Sequence, residues 1–230
     1  MSKNQVIFFD IGQTLVTGRE KSARRLLGDR LKLTEKETKR VGKLIMTHYA
    51  ENPMHLLEPL ETLLPYRQSS ELLTALEAIW HDQIESVKEI SGASLILKSL
   101  RRMGYRLGVI SNIWHPFYEG LCRNCPAIIE LLDYHLLSYR EGCKKPSLGI
   151  FEQAIKRTGE RDCLCWMVGD SYELDMEPAQ RVGMKTLWVL NRPEKERSVL
   201  ARILRSEKQA PDWVVENLYG ILDFFQGKGL

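Results

Sequence analysis

Short runs of consecutive apolar residues recur along this chain, and each run ends at a polar residue or a glycine. The first covers residues 6–9 and stops at Asp10. Runs that are apolar at every position and rich in β-branched or aromatic residues are typical of strands buried on both faces of a parallel sheet. The same pattern predicts five more strands, which in chain order are 107–110, 134–138, 164–168, 186–190 and 213–215. The strand at 134–138 has the weakest signal.

Helical patterns alternate with these strands. Apolar residues spaced by three or four positions predict helices at 94–103, 148–157, 173–181 and 217–225. Asn217 is a suitable N-cap for the last of them. Because strands that alternate with helices form βαβ units, we predict an α/β fold with a Rossmann-like, doubly wound parallel sheet.

The stretch from about residue 17 to residue 92 breaks this alternation. It shows no strand pattern, and its amphipathic periodicity predicts helices at 26–33, 34–49 and 69–87. Thr34 and Glu37 have the spacing of a capping box at a helix start. The prolines at positions 53, 59 and 65 predict a loop between helices. We therefore predict a helical cap domain at 17–91, inserted into an α/β core domain at 1–16 and 92–230.

Size and charge limit the class of protein. A chain of 230 residues that is 43% hydrophobic is long enough to bury a full α/β core. The formal net charge is +3 and the basic residues are interspersed with acidic ones, so we expect no nucleic-acid partner. No apolar run reaches the roughly 18 residues that span a bilayer, and the polar residues 1–5 do not resemble a secretory signal. The expectation is a cytoplasmic monomer or homodimer with no membrane partner.

The five cysteines leave two interpretations open. Cys122 and Cys125 form a C-x-x-C pair, and Cys163 and Cys165 form a C-x-C pair. The odd count and the absence of a secretory signal argue against a disulfide framework. A zinc site with four thiolates is conceivable. Free thiols are the favoured interpretation, because the second pair leads into a predicted buried strand, where cysteine behaves as a small hydrophobe.

Polar residues stand where three of the predicted strands end. Asp10 follows the first strand, Ser111 and Asn112 follow the second, and Asp170 follows the fourth. In a doubly wound sheet, ligands bind beyond the carboxyl ends of the strands. Lys145, which precedes Pro146 between the second and third of these positions, adds a positive charge. The sequence therefore predicts a charged site at one edge of the sheet.

Four segments in this order resemble the motifs of the haloacid dehalogenase-like superfamily. They are Phe8-Phe9-Asp10-x-x-x-Thr14-Leu15, Val109-Ile110-Ser111-Asn112, Lys145-Pro146-x-x-x-x-Phe151 and Val168-Gly169-Asp170-Ser171-x-x-x-Asp175. The resemblance covers about residues 5–17 and 92–227, and the helical insert is similar to that family's small cap. It implies a hydrolase that acts on a small phosphorylated or halogenated molecule.

The resemblance assigns Asp10 as the nucleophile. A carboxylate that attacks a phosphorus or carbon centre divides one difficult step into two easier ones. Asp10, Asp170 and Asp175, with the backbone carbonyl of Gly12, would hold Mg²⁺, a hard ion that prefers oxygen ligands.

The remaining motif residues would bind the substrate. Lys145 supplies positive charge to the phosphoryl oxygens and to Asp10, and its position before Pro146 distinguishes it from the adjacent Lys144. Ser111 offers a hydroxyl and Asn112 a backbone N–H to the transferring group. Thr14 is expected to order the loop after Asp10.

Gly12 departs from the family's phosphatase pattern. Phosphatases of the family carry a second aspartate at this position, which protonates the leaving oxygen and then activates water. Glycine cannot transfer a proton, and general acid–base catalysis is worth roughly 10²–10⁴ in rate. We therefore expect a Mg²⁺-dependent phosphatase of weak or atypical activity, with His115 or Glu173 as possible replacements for the missing acid.

Three other functions stay open at this point. The chain could break a carbon–halogen or carbon–phosphorus bond, and the latter would need a cap lysine such as Lys39 or Lys43. It could bind phosphate compounds without turnover, or act as a scaffold through its cap. Four cap residues could line an apolar roof over the site, although a role in the cap's own core is the simpler interpretation: Leu56, Leu57, Tyr66 and Trp80.

Overall fold

A six-stranded parallel sheet forms the centre of the protein. The structure, a computed structural model, describes residues 4–159 and 163–227. The sheet order is β5-β4-β1-β6-β7-β8, and every neighbouring pair is parallel. The strands in chain order are β1 (Gln5–Phe9), β2 (Val16–Thr17), β3 (Lys88–Glu89), β4 (Arg106–Ser111), β5 (Tyr134–Leu137), β6 (Leu164–Gly169), β7 (Lys185–Val189) and β8 (Trp213–Val215).

Helices surround the sheet and form a separate group in the first half of the chain. They are α1 (Ala23–Arg30), α2 (Glu35–Thr47), α3 (Leu57–Leu63), α4 (Ser69–Ser86), α5 (Ala93–Arg102), α6 (His115–Asn124), α7 (Pro126–Ile129), α8 (Ser138–Glu141), α9 (Leu148–Arg157), α10 (Glu177–Arg181), α11 (Arg197–Leu204) and α12 (Leu218–Phe225). A 3₁₀ turn (Pro53–Leu56) precedes α3, and a π-helical turn (Tyr172–Met176) precedes α10.

Side chains of the central strand alternate between two hydrophobic cores. Ile7 and Phe9 pack with residues of α5, α6 and α12, whereas Val6 and Phe8 pack with residues of α9, α10 and α11. Both faces of the sheet are therefore covered, which explains why the strands are apolar at every position. The predicted doubly wound α/β fold is confirmed.

The helical module, α1–α4, has a third core of its own. Leu27, Val41, Leu60 and Leu76, one from each helix, are fully buried in it. Where the chain leaves and re-enters the sheet, β2 and β3 pair antiparallel. The module also packs on the core through α4 and α6. There Gly120 permits a close approach, because a Cβ at that position would lie 2.4 Å from the backbone oxygen of Ile84.

Most predicted elements are present, with small shifts at their ends. All six predicted strands of the sheet are found. The Oγ1 of Thr34 accepts the N–H of Glu37 and starts α2 with the predicted capping box. The Oδ1 of Asn217 caps α12. The domain boundaries at 17 and 92 stay a prediction, and residues 1–3, 160–162 and 228–230 of the predicted core lie outside the described residues.

Two predictions were wrong. The proline-rich loop is largely helical, since it contains the 3₁₀ turn and α3. Pro59 is the third residue of α3, in the first turn, where a backbone N–H has no partner within the helix and proline is tolerated. The stretch from 17 to 92 also contains a strand, β3, whose two residues are too few to give a periodic pattern.

Candidate active site

The predicted site residues converge at the carboxyl edge of the sheet. Strand β1 lies between β4 and β6, and Phe9 is in register with Val109 and Val168. The three strands therefore end side by side. Asp10 follows β1, Ser111 ends β4 and Asp170 follows β6, so residues far apart in the chain share one cleft.

A buried lysine joins two of the carboxylates. The Nζ of Lys145 lies 2.8 Å from Asp10 Oδ1 and 2.5 Å from Asp175 Oδ1. The lysine side chain is 2% exposed. The Asn112 side chain fixes the backbone of Lys145, because its Nδ2 donates to the lysine carbonyl at 2.9 Å and its Oδ1 accepts the lysine N–H at 2.7 Å. Asn112 thus positions the backbone of Lys145. The motif alone does not reveal this role of Asn112.

The π-helical turn after β6 brings Asp175 to the lysine. Its side chain is completely buried, and its Oδ2 accepts the N–H of Ser171 at 3.1 Å. Gly169 makes this approach possible, because a Cβ at that position would lie 2.3 Å from Asp175 Oδ2. The glycine of the fourth motif is therefore needed because any side chain at residue 169 would collide with the Asp175 carboxylate.

Burial and charge act against each other at this pair. Burial alone would lower the pKa of Lys145, but the Asp10 and Asp175 carboxylates outweigh it and hold that pKa above its usual value. Burial raises the pKa of Asp175, with the Lys145 ammonium opposing the shift and the Asp10 carboxylate adding to it. The ammonium thus stays charged in a nearly dry environment, where its interactions are strong.

The two oxygens of Asp10 have different environments. Oδ1 accepts the Ser111 hydroxyl at 3.0 Å in addition to the lysine ammonium. Oδ2 makes no hydrogen bond to residues 4–159 or 163–227. Since the Asp10 side chain is 13% exposed and lines the cleft, this second oxygen is open to a ligand.

Arg192 is a charged member of the site that the motif analysis missed. Its guanidinium donates to Asp170 Oδ2, and Trp188 Nε1 donates to the Asp170 carbonyl at 3.1 Å. The neighbouring Asn191 donates from Nδ2 to the carbonyl of Gln13 at 2.9 Å. Asn191 and Arg192 lie two and three residues after the end of β7, so a search for polar residues slightly beyond each strand end could have found them.

The carboxylates fit a divalent cation. Oxygens of Asp10, Asp170 and Asp175 lie within 4.8 Å of one another. Three carboxylates face two cations, Lys145 and Arg192, which leaves one negative charge unmatched. An all-oxygen donor set with surplus negative charge suits Mg²⁺, whereas it lacks the nitrogen or sulfur ligands that zinc prefers.

Two connected clefts reach the site. The catalytic cleft, of about 440 Å³, contains Asp10, Lys145, Asp170, Asp175, Ser111 and Asn112, and also Arg192 and Glu196. Burial raises the pKa of Glu196. A smaller adjoining cleft of about 150 Å³, the inner extension, shares Gly12 and Gln13 with the catalytic cleft and reaches α1 and α4.

Gly12 borders both clefts, and space is available where its side chain would be. A Cβ at this position would meet nothing within 4 Å. The strained position of the loop is the next residue, because Gln13 has a φ of 63°. The absence of a carboxylate at residue 12 is therefore not imposed by packing or by backbone conformation.

Other residues proposed from the sequence lie away from the clefts. Thr14 is buried, and its hydroxyl has no partner among the described residues. His115 is packed between the Trp80 and Tyr139 rings, and Glu173 is exposed. Neither candidate replacement for the missing acid lines a cleft.

The proposed cap residues have ordinary roles. Leu56, Leu57 and Trp80 belong to the core of the helical module. Tyr66 is 60% exposed and donates to Glu37. Lys39 pairs with Glu35 on the surface of α2, and Lys43 is exposed. None of these six residues lines the catalytic cleft or the inner extension.

The cysteines do not gather into a metal site. All five are free thiols. Within residues 4–159 and 163–227, the three aspartates form the sole group of acidic, histidine or cysteine ligands close enough to hold a metal ion. The zinc alternative therefore has no support in the described part of the chain.

Fold and site together define a class of protein. A parallel α/β sheet carries an aspartate, a buried lysine and two further carboxylates together at its carboxyl edge. The chain belongs to the haloacid dehalogenase-like hydrolase family, whose family model matches residues 5–183. It is 31% identical over 196 residues to a glyceraldehyde 3-phosphate phosphatase of Pyrococcus abyssi, with 80% of each chain covered.

Solved structures agree on the fold. A HAD phosphatase from Thermococcus onnurineus is similar at a TM-score of 0.57, with 18% identity and 98% of each chain covered. L-2-haloacid dehalogenase from Xanthobacter autotrophicus is similar at a TM-score of 0.60, with 16% identity and 99% of each chain covered. No helix in the described ranges is both long and apolar enough to cross a membrane.

Proposed function

We propose that this chain is a Mg²⁺-dependent phosphatase that hydrolyses a small phosphorylated metabolite through Asp10. The observation that carries the proposal is the position of Lys145, whose ammonium lies 2.8 Å from Asp10 and 2.5 Å from Asp175 beside the Asp170 carboxylate. A dianionic phosphoryl group needs positive charge before a carboxylate can approach it. Lys145 provides part of that charge, and Mg²⁺ held by the three aspartates would provide the rest.

The open oxygen of Asp10 would make the attack. Oδ1 is held by Ser111 and Lys145, so Oδ2 would form the bond to phosphorus while the bond from phosphorus to the leaving oxygen breaks. The leaving oxygen then needs a proton. In the second step water attacks the aspartyl-phosphate, which releases inorganic phosphate and restores the Asp10 carboxylate.

Gly12 limits the rate of this chemistry. It can offer its carbonyl to the metal, but it can neither protonate the leaving oxygen nor activate water. No Asp, Glu or His lines the inner extension among the described residues. We therefore expect turnover to be slow and to favour good leaving groups, which need little protonation.

A phosphatase assay on an aryl phosphate, with and without Mg²⁺, tests this function. The expected result is slow, Mg²⁺-dependent release of phosphate that disappears in Asp10→Asn. Activity that survives this substitution would show that Asp10 is not the nucleophile. Release of halide from a 2-haloacid without Mg²⁺ would favour the dehalogenase alternative instead.

A protein that binds phosphate compounds without turnover is the other candidate. The missing acid at Gly12 favours it, whereas the buried lysine and the open Asp10 oxygen favour an enzyme. The two differ in one measurement: a binding protein would bind a phosphate monoester in the presence of Mg²⁺ and release no phosphate over many hours.

A further inference from the structure

The inner extension adjoins the place where the phosphoryl group of a substrate would lie. It shares Gly12, Ser111 and Asn112 with the catalytic cleft, so a group bound next to Asp10 can continue into it. Its volume of about 150 Å³ is well below the roughly 300–1,000 Å³ of pockets for drug-sized ligands. The polar groups that face this small space would therefore select among short leaving groups.

Gln83 of α4 is a buried polar side chain in the lining of the extension. It is 4% exposed, and its Oε1 accepts the N–H of Trp114 Nε1 at 3.3 Å. Because an indole N–H can only donate, the amide oxygen must face it, which fixes the orientation of the amide. The Nε2 has no hydrogen-bond partner within residues 4–159 and 163–227, and it is not completely enclosed. Gln83 thus presents a free amide N–H to the extension.

The donors on the wall that both clefts share already have partners. The Ser111 hydroxyl donates to Asp10, and the Asn112 amide donates to the carbonyl of Lys145. A buried donor without a partner is costly, and the extension is otherwise bordered by the apolar side chains of Met46, Ile113 and Phe117. A ligand oxygen that accepts the Gln83 N–H would remove this cost.

The charges that line the extension are also matched. Arg19 pairs with Asp82, and Lys21 pairs with Asp29 at 2.9 Å. The free donor of Gln83 is a neutral amide. A carboxylate bound there would lose its hydration without gaining an unpaired cation among these lining residues. A neutral oxygen acceptor, such as a carbonyl oxygen, is therefore the better match for Gln83.

We propose that Gln83 determines specificity: its Nε2 donates a hydrogen bond to a neutral oxygen acceptor on the leaving group of the phosphate ester. A leaving group that is purely hydrocarbon would leave the donor unpaired and would bind less tightly. Trp114, which holds the amide, lies two residues after Asn112 and so ties this donor to the strand end at the catalytic edge. The inference rests on the proposed function, because it takes the phosphoryl group to occupy the catalytic cleft.

Binding calorimetry on the Asp10→Asn protein with Mg²⁺ tests the inference without turnover. The probes are 2-oxopropyl phosphate and 2-methylallyl phosphate, which have the same arrangement of heavy atoms and differ in a carbonyl oxygen against a CH₂ group. We expect the carbonyl compound to bind about threefold to tenfold more tightly, which is the worth of one neutral hydrogen bond. Gln83→Met keeps the length of the side chain but removes the amide, and it should abolish this preference.

A second variant removes the donor without removing the partner of Trp114. Gln83→Glu keeps an oxygen for the indole N–H, and at about pH 8, well above the ordinary pKa of a glutamate, it should also abolish the preference. Asn124→Leu is the matched control. The Asn124 amide of α6 donates to the carbonyls of Ile84 and Val87, but it lines neither cleft, and the preference should stay unchanged.

The outcomes separate this inference from the proposed function. Equal binding of both probes to the Asp10→Asn protein would overturn the inference and leave the phosphatase proposal intact. A preference that persists in Gln83→Met would also overturn it, because another donor would be responsible. An equal loss in Asn124→Leu would do the same, as a general effect of disturbing the contact between α4 and α6. If a folded protein that binds Mg²⁺ bound neither probe, the proposed function would fail, and the inference with it.

Discussion

Charges are arranged differently at the sheet edge and at the junction with the helical module. At the edge, each buried carboxylate contacts a cation: Lys145 lies between Asp10 and Asp175, and Arg192 contacts Asp170. At the junction, three cations, Arg24, Lys43 and Lys144, have no acid partner in the described chain. The first region keeps one surplus negative charge, which a divalent cation could balance, whereas the second carries three positive charges without an acid partner among the described residues.

This difference bears on what each region of the protein can do. At the edge, the contacts of Lys145 and Arg192 with the carboxylates hold the site in one geometry before a substrate binds, and transition-state stabilisation needs such preorganisation. At the junction, Arg24 and Lys43 are exposed, so water and salt screen much of the repulsion among the three cations. The edge therefore has the charges that the proposed phosphoryl chemistry needs, whereas the three cations of the junction line neither of the two clefts.

Restoring the missing acid should give the largest effect. Gly12→Asp should raise Mg²⁺-dependent hydrolysis of ethyl phosphate about 10²-fold, because a carboxyl group would reach the leaving oxygen. The space is available, since a Cβ meets nothing within 4 Å. Steady-state phosphate release measures the gain, and Gly12→Ala controls for the added Cβ.

The opposite outcome would identify another acid. If Gly12→Asp gave no gain in a folded protein that binds Mg²⁺, the edge would already have a proton donor. Glu196, which lines the catalytic cleft and has a pKa raised by burial, is the candidate. In that case Glu196→Gln should abolish the residual turnover.

The sheet and its edge could be predicted from the sequence because their signals are local. Apolar runs identify strands buried on both faces, and parallel strands deliver their terminal residues to one edge. This logic brought together Asp10, Ser111 and Asp170, with Lys145 from the motif order. Arg192 was missed because it follows β7 by three residues and belongs to no motif.

The junction could not be predicted in this way. Which helical side chains meet depends on how α1, α2 and α4 pack against the core, and sequence periodicity does not specify such packing. Arg24 reaches α2 because Gly42 leaves room for it. Helix α3 was not predicted because Pro59 was interpreted as a loop residue. Proline is tolerated in the first turn of a helix, where Pro59 lies.

Packing between α4 and α6 should hold the helical module on the core. Gly120→Ala would place a Cβ 2.4 Å from the Ile84 carbonyl oxygen, which is backbone and cannot easily move. We expect a loss of about 1–3 kcal/mol in the free energy of unfolding, measured in urea. Gly149→Ala in α9, whose Cβ would lie 3.7 Å from its nearest neighbour, should be neutral or slightly stabilising. Equal stability of the two variants would show that this contact is loose.

Arg192 should compete with the metal for Asp170. Arg192→Gln removes a positive charge that contacts this carboxylate, so we expect Mg²⁺ to bind about threefold to tenfold more tightly. Calorimetric titration with Mg²⁺ in the absence of substrate measures the change. Arg197→Gln, an exposed position at the start of α11, controls for the net charge. Weaker Mg²⁺ binding in Arg192→Gln would mean that the arginine organises the site rather than competing for it.

The smallest expected effect concerns a histidine inside the junction. His115 stacks on Trp80 of α4 and packs against the edge of Tyr139, and its Nδ1 has no partner among the described residues. Glu119, Glu51 and Arg140 are the charged groups that act on it. Burial lowers its pKa, and the two glutamates only partly offset this shift. The folded protein therefore resists a proton that the unfolded chain accepts.

The sign of the pH dependence follows from this difference. Well above about pH 6.5, the ordinary histidine pKa, His115 is neutral in both states and contributes no pH dependence. Below that value the unfolded chain binds the proton first, so stability falls as the pH falls. Urea unfolding at about pH 7.5 and about pH 5.5 should show a smaller difference in His115→Phe than in wild type, by less than about 1 kcal/mol. Part of the pH dependence should remain in His115→Phe, because burial also lowers the pKa of His135. A slope that His115→Phe leaves intact would mean that the ring is hydrated, and that the junction is more open than the aromatic contacts indicate.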